Sequence, residues 1–257
     1  MTDLSETPVL WQLKVSNYNE KARWALDFKG IPHRRKAVEP GRHRRLAQGL
    51  AGIDTLPILE LGGKPIGDST AIIAALEQLQ PDPPLYPEDD ADRQRALDLE
   101  EYFDEELGPY SRVLAISHMS SDGGLFLGAF IPDMSAPRRF VAKSVFPLIR
   151  RKLRSDFGLT EESVAAAFER IREVGGRFRD ELGASGYLAG DRFTVADLTL
   201  AALISPLVAP SQFPYPQPQG DHPAMAPVRK ALAEAGLLDW ARDMYSRHRG
   251  TSAEVAA

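Results

Sequence analysis

The stretch Leu13–Leu26, LKVSNYNEKARWAL, decides the fold. Before and into it, Val9–Val15 (VLWQLKV) is β-rich and partly alternating, as a strand is. Within it a helix begins: Ala22, Ala25, Leu26 and then Lys29 recur at helical spacing, and Gly30 followed by Pro32 gives a stop. Ser16, Asn17, Tyr18 and Asn19 stand at the joint. One reading is a plain N-cap, the favoured use of Ser and Asn before a helix. The other is an anion site, because a helix N-terminus exposes unpaired N–H groups and a partial positive charge. A serine hydroxyl adds a donor there, and a thiol with an ordinary pKa of about 8.5 could be held as thiolate.

Working outward, HRRKAV (33–38) reads as a second strand, GRHRRLAQGL (41–50) as a short helix and LPILEL (56–61) as a third strand. Gly62-Gly63 supplies a two-residue hairpin turn, and KPIG (64–67) returns as a fourth strand. DSTAIIAALEQL (68–79) is helical, with Ile72, Ile73, Leu76 and Leu79 on one face. The order is β-α-β-α-β-β-α. The first two strands, joined through a helix, should be parallel. Two local signals stand out. Pro57 opens the third strand, and a cis Leu56–Pro57 bond would turn the Leu56 N–H and C=O toward a peptide-like ligand. Asp68-Ser69 opens the next helix, either as a cap or as a grip for the α-amino and carboxylate groups of a ligand.

QPDPPLYPEDD follows and is a linker by composition. From Ala91 onward the strand signal ends. ADRQRALDLEEYFDEELGPYSRVLAI predicts one long helix, SSDGGLFLG (120–128) a loop, and TEESVAAAFERIREVGGRFRDEL a helix capped by Thr160 and Ser163. Phe193–Val208 (FTVADLTLAALISPLV) is almost wholly apolar and predicts the buried centre of this half. A Pro-rich turn region (206–227) and one or two helices complete the chain. The expected organisation is residues 7–80, a linker 81–91, and an all-helical part 92–249.

The segment Pro137–Arg154 (PRRFVAKSVFPLIRRKLR) is basic and amphipathic, with Pro147 set to interrupt or kink it. It can pack on its own domain or lie on an anionic membrane surface.

The bulk numbers bound the function. The chain has 257 residues, 43% hydrophobic and 26% charged, the mix of a globular protein. Its net charge of −5 argues against nucleic acid as the main partner. With no cysteine, disulfides, thiolate ligands and a cysteine nucleophile are excluded, so any thiol must come from a substrate. His33, His43, His118, His222 and His248 show no paired spacing, so no metal site is expected. No secretory signal opens the chain, and no apolar run approaches the ~20 residues of a membrane span. A cytoplasmic protein is expected.

Taken together, a serine at the first strand-helix joint, a Leu-Pro opening the third strand, a Gly-Gly hairpin and an Asp-Ser opening the next helix resemble the glutathione-binding half of the cytosolic glutathione transferases, in a serine-type bacterial form. FTVADLTLAAL is similar to a helix of that family's second domain, with Thr194 and Asp197 as its capping pair. The basic segment adds a likeness to metaxin and failed-axon-connections relatives. The resemblance implies a thioredoxin-like domain followed by an all-helical domain. It implies a homodimer that adds glutathione, its co-substrate, to small hydrophobic electrophiles in detoxification, without a metal.

Ser16 would activate the glutathione sulfur, with Tyr18 as the other candidate hydroxyl and Asn17 assisting in binding. Leu56 before Pro57 would hold the cysteinyl backbone, and Asp68 and Ser69 the γ-glutamyl end. Arg42, His43 or Arg45 would meet the glycyl carboxylate. Tyr102, Phe103, Tyr110 and Leu114, with Trp11, would wall the electrophile pocket; core packing is the other reading of Trp11. The sequence departs from the family in carrying Asn17 where proline often follows the serine. SNYN also lacks both cysteines of the Cys-Pro-x-Cys branches, so dithiol chemistry with the protein is excluded. The alternative is a non-catalytic binding or scaffold protein that works through its basic amphipathic helix.

Overall fold

The computed structural model describes residues 6–130, 135–215, 217 and 223–256. His222 lies outside the described residues. The elements run β1 (Val9–Gln12), α1 (Asn17–Phe28), β2 (Arg34–Ala37), α2 (His43–Ala51), β3 (Ile58–Leu61), β4 (Lys64–Gly67) and α3 (Ser69–Leu79). Eight α-helices follow among the described residues: α4 (Asp90–Glu106), α5 (Gly108–Met119), α6 (Gly123–Phe130), α7 (Ala136–Asp156), α8 (Glu161–Glu181), α9 (Val195–Val208), α10 (Ala226–Glu234) and α11 (Leu237–His248). The β-α-β-α-β-β-α order and the change to helices are those read from the sequence.

The sheet is ordered β2-β1-β3-β4, with β1 parallel to β2 and the other pairs antiparallel. Gly62 and Gly63 take φ 55° and 73°, as a hairpin turn of two left-handed residues requires. Side chains alternate across the sheet. Leu10 and Leu59 face α1 and α3 in the main core, while Ile58 packs with Ala47 and Leu56 on the α2 side. Trp11 packs against that second cluster, its indole N–H donating to Glu60 at 2.8 Å and Lys36 lying over its ring. It is therefore a sheet-face residue, packed on the α2 side of the sheet.

Helix α9 is the axle of the helical part: every residue in it but Pro206 is buried, and it packs on α1, α4, α5 and α11. Its start is fixed by the Thr194–Asp197 capping box. Asp197 accepts from the Leu188 and Thr194 N–H groups and the Thr194 hydroxyl, each at 2.9 Å. Burial raises this carboxyl to about 6 against the pull of those donors.

Three expectations fail locally. The long helix from Ala91 breaks at Leu107, because Tyr18 of α1 occupies the space beside Gly108 that a Cβ would need, and Pro109 then lacks an N–H for the ladder. The expected loop at 120–128 turns into α6 at Gly123. Asp122 caps the Gly124 N–H, and Phe126 and Leu127 gain burial, Phe126 against Phe146 of α7 at 5.8 Å. Pro147 lies inside a continuous α7 rather than ending it.

The two parts meet on α1, which is buried on nearly all sides together with its charges. Lys21 bridges to Glu100 (2.8 Å) and Asp104 (2.5 Å) of α4. Arg249, at the end of α11, bonds Glu20 and Asp27, each at 2.7 Å, and Arg35 reaches Asp27 at 2.5 Å. Arg23 pairs with Glu20 at 2.7 Å and with Gln12 at 2.6 Å. Burial alone would raise the Asp27 carboxyl, but Arg249, Arg35 and the Ala253 N–H overcome it and hold the group below its usual value.

Removing one partner of so buried a network leaves the others uncompensated. Arg249→Leu should lower stability by about 3–5 kcal/mol, read from the urea midpoint at unchanged slope. A loss below about 1 kcal/mol would reduce the network to the rank of a surface pair. The pH response has a fixed sign. The native Asp27 carboxyl keeps its charge to lower pH than the unfolded one, so its contribution is complete above about pH 4 and is lost as pH falls below it. Asp27→Asn should flatten that acid slope.

Candidate functional site

Strand register places the candidate residues at one end of the sheet. Gln12, which ends β1, pairs with Ala37, which ends the parallel β2. Trp11 pairs with Ile58, which begins β3, and Ile58 pairs with Gly67, which ends β4. The loops that leave this edge carry Ser16, Arg42-His43, Leu56-Pro57 and Asp68-Ser69. In an open sheet that is the edge where ligands are received.

Ser16 is the N-cap of α1, with extended backbone at φ −78°, ψ 132°. Its Oγ accepts the Asn19 N–H at 3.5 Å, and its hydroxyl hydrogen has no acceptor among the described residues. Beneath it lies the buried Arg23 guanidinium, 3.4 Å from both the Ser16 and the Leu13 carbonyl oxygens. The N-terminal amides, the hydroxyl and that guanidinium together make this point electropositive.

Asn19, the last of the four polar residues at the joint, is a strut. Its Oδ1 accepts the Leu13 N–H at 3.1 Å, and its Nδ2 donates to the Leu56 carbonyl at 3.2 Å. It thereby ties the Ser16 loop to the Leu56–Pro57 loop, whose peptide bond is cis. One lone pair of the Leu56 carbonyl is already engaged by Asn19, which leaves its second lone pair for a ligand.

Asp68 is exposed and sits at φ 71°, a region disfavoured for residues other than glycine. Its Oδ1 accepts the Thr70 and Ala71 N–H groups at 2.8 and 3.2 Å, which holds it there. Ser69 beside it is buried. Strained backbone of this kind is concentrated at binding sites. In the basic loop, the Arg42 guanidinium is 82% exposed and reaches only Glu39, at 3.9 Å. His43 accepts the Gly41 N–H through Nδ1. Burial, then Arg44, lowers its pKa, so a neutral imidazole would offer an N–H rather than a charge. Arg45 is exposed on the first turn of α2.

Asn17 and Tyr18 turn away from this edge. Asn17 is buried, and its amide donates to the Gly108 carbonyl, the Ser111 hydroxyl and the Leu203 carbonyl. The Tyr18 hydroxyl donates to the Asp104 carbonyl at 2.6 Å. Burial, and then Asp104, push its phenol well above its usual pKa. Both lock α1 to the helical part.

The expected pocket walls are also corrected. Phe103 and Leu114 are core residues. Tyr102 and Tyr110 face α8, under Arg177 and Arg170. What approaches the β1–α1 loop instead is the segment after α9. Tyr215 accepts from Gln12 at 2.6 Å, and Arg23 lies 5.1 Å from its ring and 5.4 Å from that of Phe213. Their only trace in the sequence is a pair of aromatics among prolines, SQFPYP, in a region that reads as turn.

Among the described residues no group of three His, Asp or Glu could hold a metal ion, and no helix is long and apolar enough to cross a membrane.

Comparison with known proteins agrees with this fold. The family model described as glutathione S-transferase, N-terminal domain, matches residues 10–84, and that for the C-terminal domain matches 161–230. No curated protein matches the chain in sequence. Among solved structures, glutathione transferase GSTFuA3 from Phanerochaete chrysosporium is similar at TM-score 0.65 and 19% identity, over 96% of this chain and 99% of that one. A glutathione S-transferase from Rhodospirillum rubrum gives 0.63 at 20% identity, over 95% and 90%. The beta-etherase LigF from Sphingobium gives 0.61 at 19%, over 94% and 100%. At these identities the structural likeness speaks for the fold.

Tyr18→Phe tests the anchor. It should cost about 1 kcal/mol of stability, one hydrogen bond, read from the urea midpoint at unchanged slope. No loss of stability would deny Tyr18 that role.

Proposed function

Since the chain belongs to the cytosolic glutathione S-transferase superfamily, we propose that it binds glutathione at this sheet edge and activates the sulfur for attack on small hydrophobic electrophiles. In this reading the Ser16 hydroxyl donates to the sulfur. The thiolate gains from the α1 N-terminus and from the guanidinium beneath it. The Leu56 backbone takes the cysteinyl peptide, and Asp68 and Ser69 take the γ-glutamyl end. An arginine of the α2 loop, Arg42 or Arg45, takes the glycyl carboxylate, with His43 adding a neutral donor. The electrophile lies against Phe213 and Tyr215. Only a positioned, desolvated thiolate beside an apolar wall is required for the bond to form.

The observation that carries this reading is Ser16 itself: an N-cap hydroxyl whose hydrogen has no acceptor among the described residues, at the edge where three further loops converge. The domain limits 7–80, 81–91 and 92–249, a homodimer and a cytoplasmic location belong to the same proposal and rest on family likeness.

Ser16→Ala should lower the conjugation rate by about 10²–10³-fold while the affinity for glutathione from calorimetry changes far less. The pH profile should move with it, the kinetic pKa of bound thiol rising toward about 8.5. Full turnover in this variant would remove Ser16 from the mechanism, and no heat on glutathione addition would remove the site.

A further inference from the structure

Helix α7 is not used by this site, and it lies outside both family-matched segments. Its packing is one-sided. Ala142, Phe146, Ile149 and Leu153 turn inward to the core. A second apolar stripe points outward: Phe140 is 75% exposed and Leu148 71%, and Leu148 and Val141 lie between Phe140 and Val145 in direction. Single exposed apolar residues are ordinary, but a stripe of four on one helix face marks an interaction surface.

The charge beside the stripe has one sign. Lys143, Arg150, Arg151, Lys152 and Arg154 stand against Asp156 alone among the described side chains of α7, in a chain whose net charge is −5. Asp156 is taken by Lys152 at 2.9 Å. Among the described residues no carboxylate comes within ion-pair distance of Arg150, Arg151 or Arg154. These three arginines, with Ser121, Gly123, Phe146 and Pro147, line an open cleft of about 450 Å³. The cleft is cationic, has room for a phosphate group, and adjoins the apolar stripe.

We propose that α7 docks on an anionic phospholipid surface, with the Arg150–Arg151–Arg154 cleft taking headgroup phosphate and Phe140, Val141 and Leu148 entering the acyl boundary. Charge complementarity selects this occupant. A second copy laid on the same face would set its cations against each other. The acidic remainder of the chain is repelled by the same surface, which orients the protein with α7 down.

The test is co-sedimentation of the full chain with phosphatidylcholine vesicles, with and without phosphatidylserine. The chain should pellet with the anionic vesicles only and be released by high salt. Replacing Arg150, Arg151 and Arg154 together by Gln should weaken binding by about 100-fold, at roughly fivefold per cation. Phe140→Asp with Leu148→Asp should abolish it. Both changes are on exposed residues, and glutathione affinity should be unchanged, so failure here is separable from failure of the Ser16 reading. Three results would overturn the proposal. One is equal binding to neutral vesicles, or none to either. Another is inorganic phosphate bound by the arginines without vesicle binding, which would mark a free-anion site. The third is concentration-dependent dimerisation lost in Phe140→Asp/Leu148→Asp without lipid binding, which would assign the stripe to a second copy.

Discussion

The structure depends on compensating the charges of one buried helix. Helix α1 and its C-cap carry Glu20, Lys21, Arg23, Asp27 and Lys29 with almost no exposure. Each of these charges would be costly in isolation. The partners come from everywhere else: Glu100 and Asp104 from α4, Arg249 from the end of α11, Arg35 from β2, Glu77 from α3 and Gln12 from β1. Neither part can therefore be removed without stranding charge in the other. Such a network adds less to net stability than a well-packed apolar one would. What it does here is fix α1 in position and rotation against two layers at once.

That fixation matters because the candidate site is the first turn of α1. Four successive residues there, separated by about 100° each around a helix, are sent to four places. Ser16 keeps its hydroxyl at the sheet edge. Asn17 goes inward to the Leu203 and Gly108 carbonyls. Tyr18 goes to the break between α4 and α5. Asn19 goes down to the Leu13 and Leu56 backbone. The three that leave the edge hold the one that stays, which is the arrangement a preorganised donor needs. The same logic explains why proline is not needed after the serine. An asparagine at that position forms three bonds across the domain boundary that a proline side chain could not make.

How much of this was legible in the sequence follows from range. Strand alternation, the Gly62-Gly63 turn and the caps at Ser16, Asp68, Thr160 and Thr194 are local, and a few residues suffice to read them. The convergence of Ser16, Leu56-Pro57 and Asp68-Ser69 was legible through family resemblance and follows physically from strand order. What was not legible is contact across long separations. Nothing near Tyr18 announces that its partner is Asp104, and nothing near Gln12 announces Tyr215. Aromatics on a predicted pocket helix look alike whether they face a cleft or, as Tyr102 and Tyr110 do, the arginines of α8. The break at Leu107 has the same origin, since a glycine-proline pair reads as a weak helix position until the ring that fills its space is known.

The amphipathic segment shows the limit from the other side. Its periodicity was plain, yet periodicity cannot say which of two apolar stripes meets the core. Helix α7 has both, and the residues that turn inward, Phe146 above all, are those that α6 can reach. Once α6 forms at Gly123 to cover that stripe, the other is left outside with the cations beside it. The unforeseen α6 and the exposed face of α7 are thus one structural fact. Among the described residues this helix shares no hydrogen bond with the α1 network, so a surface could take hold of it without disturbing the charges that hold Ser16 in place.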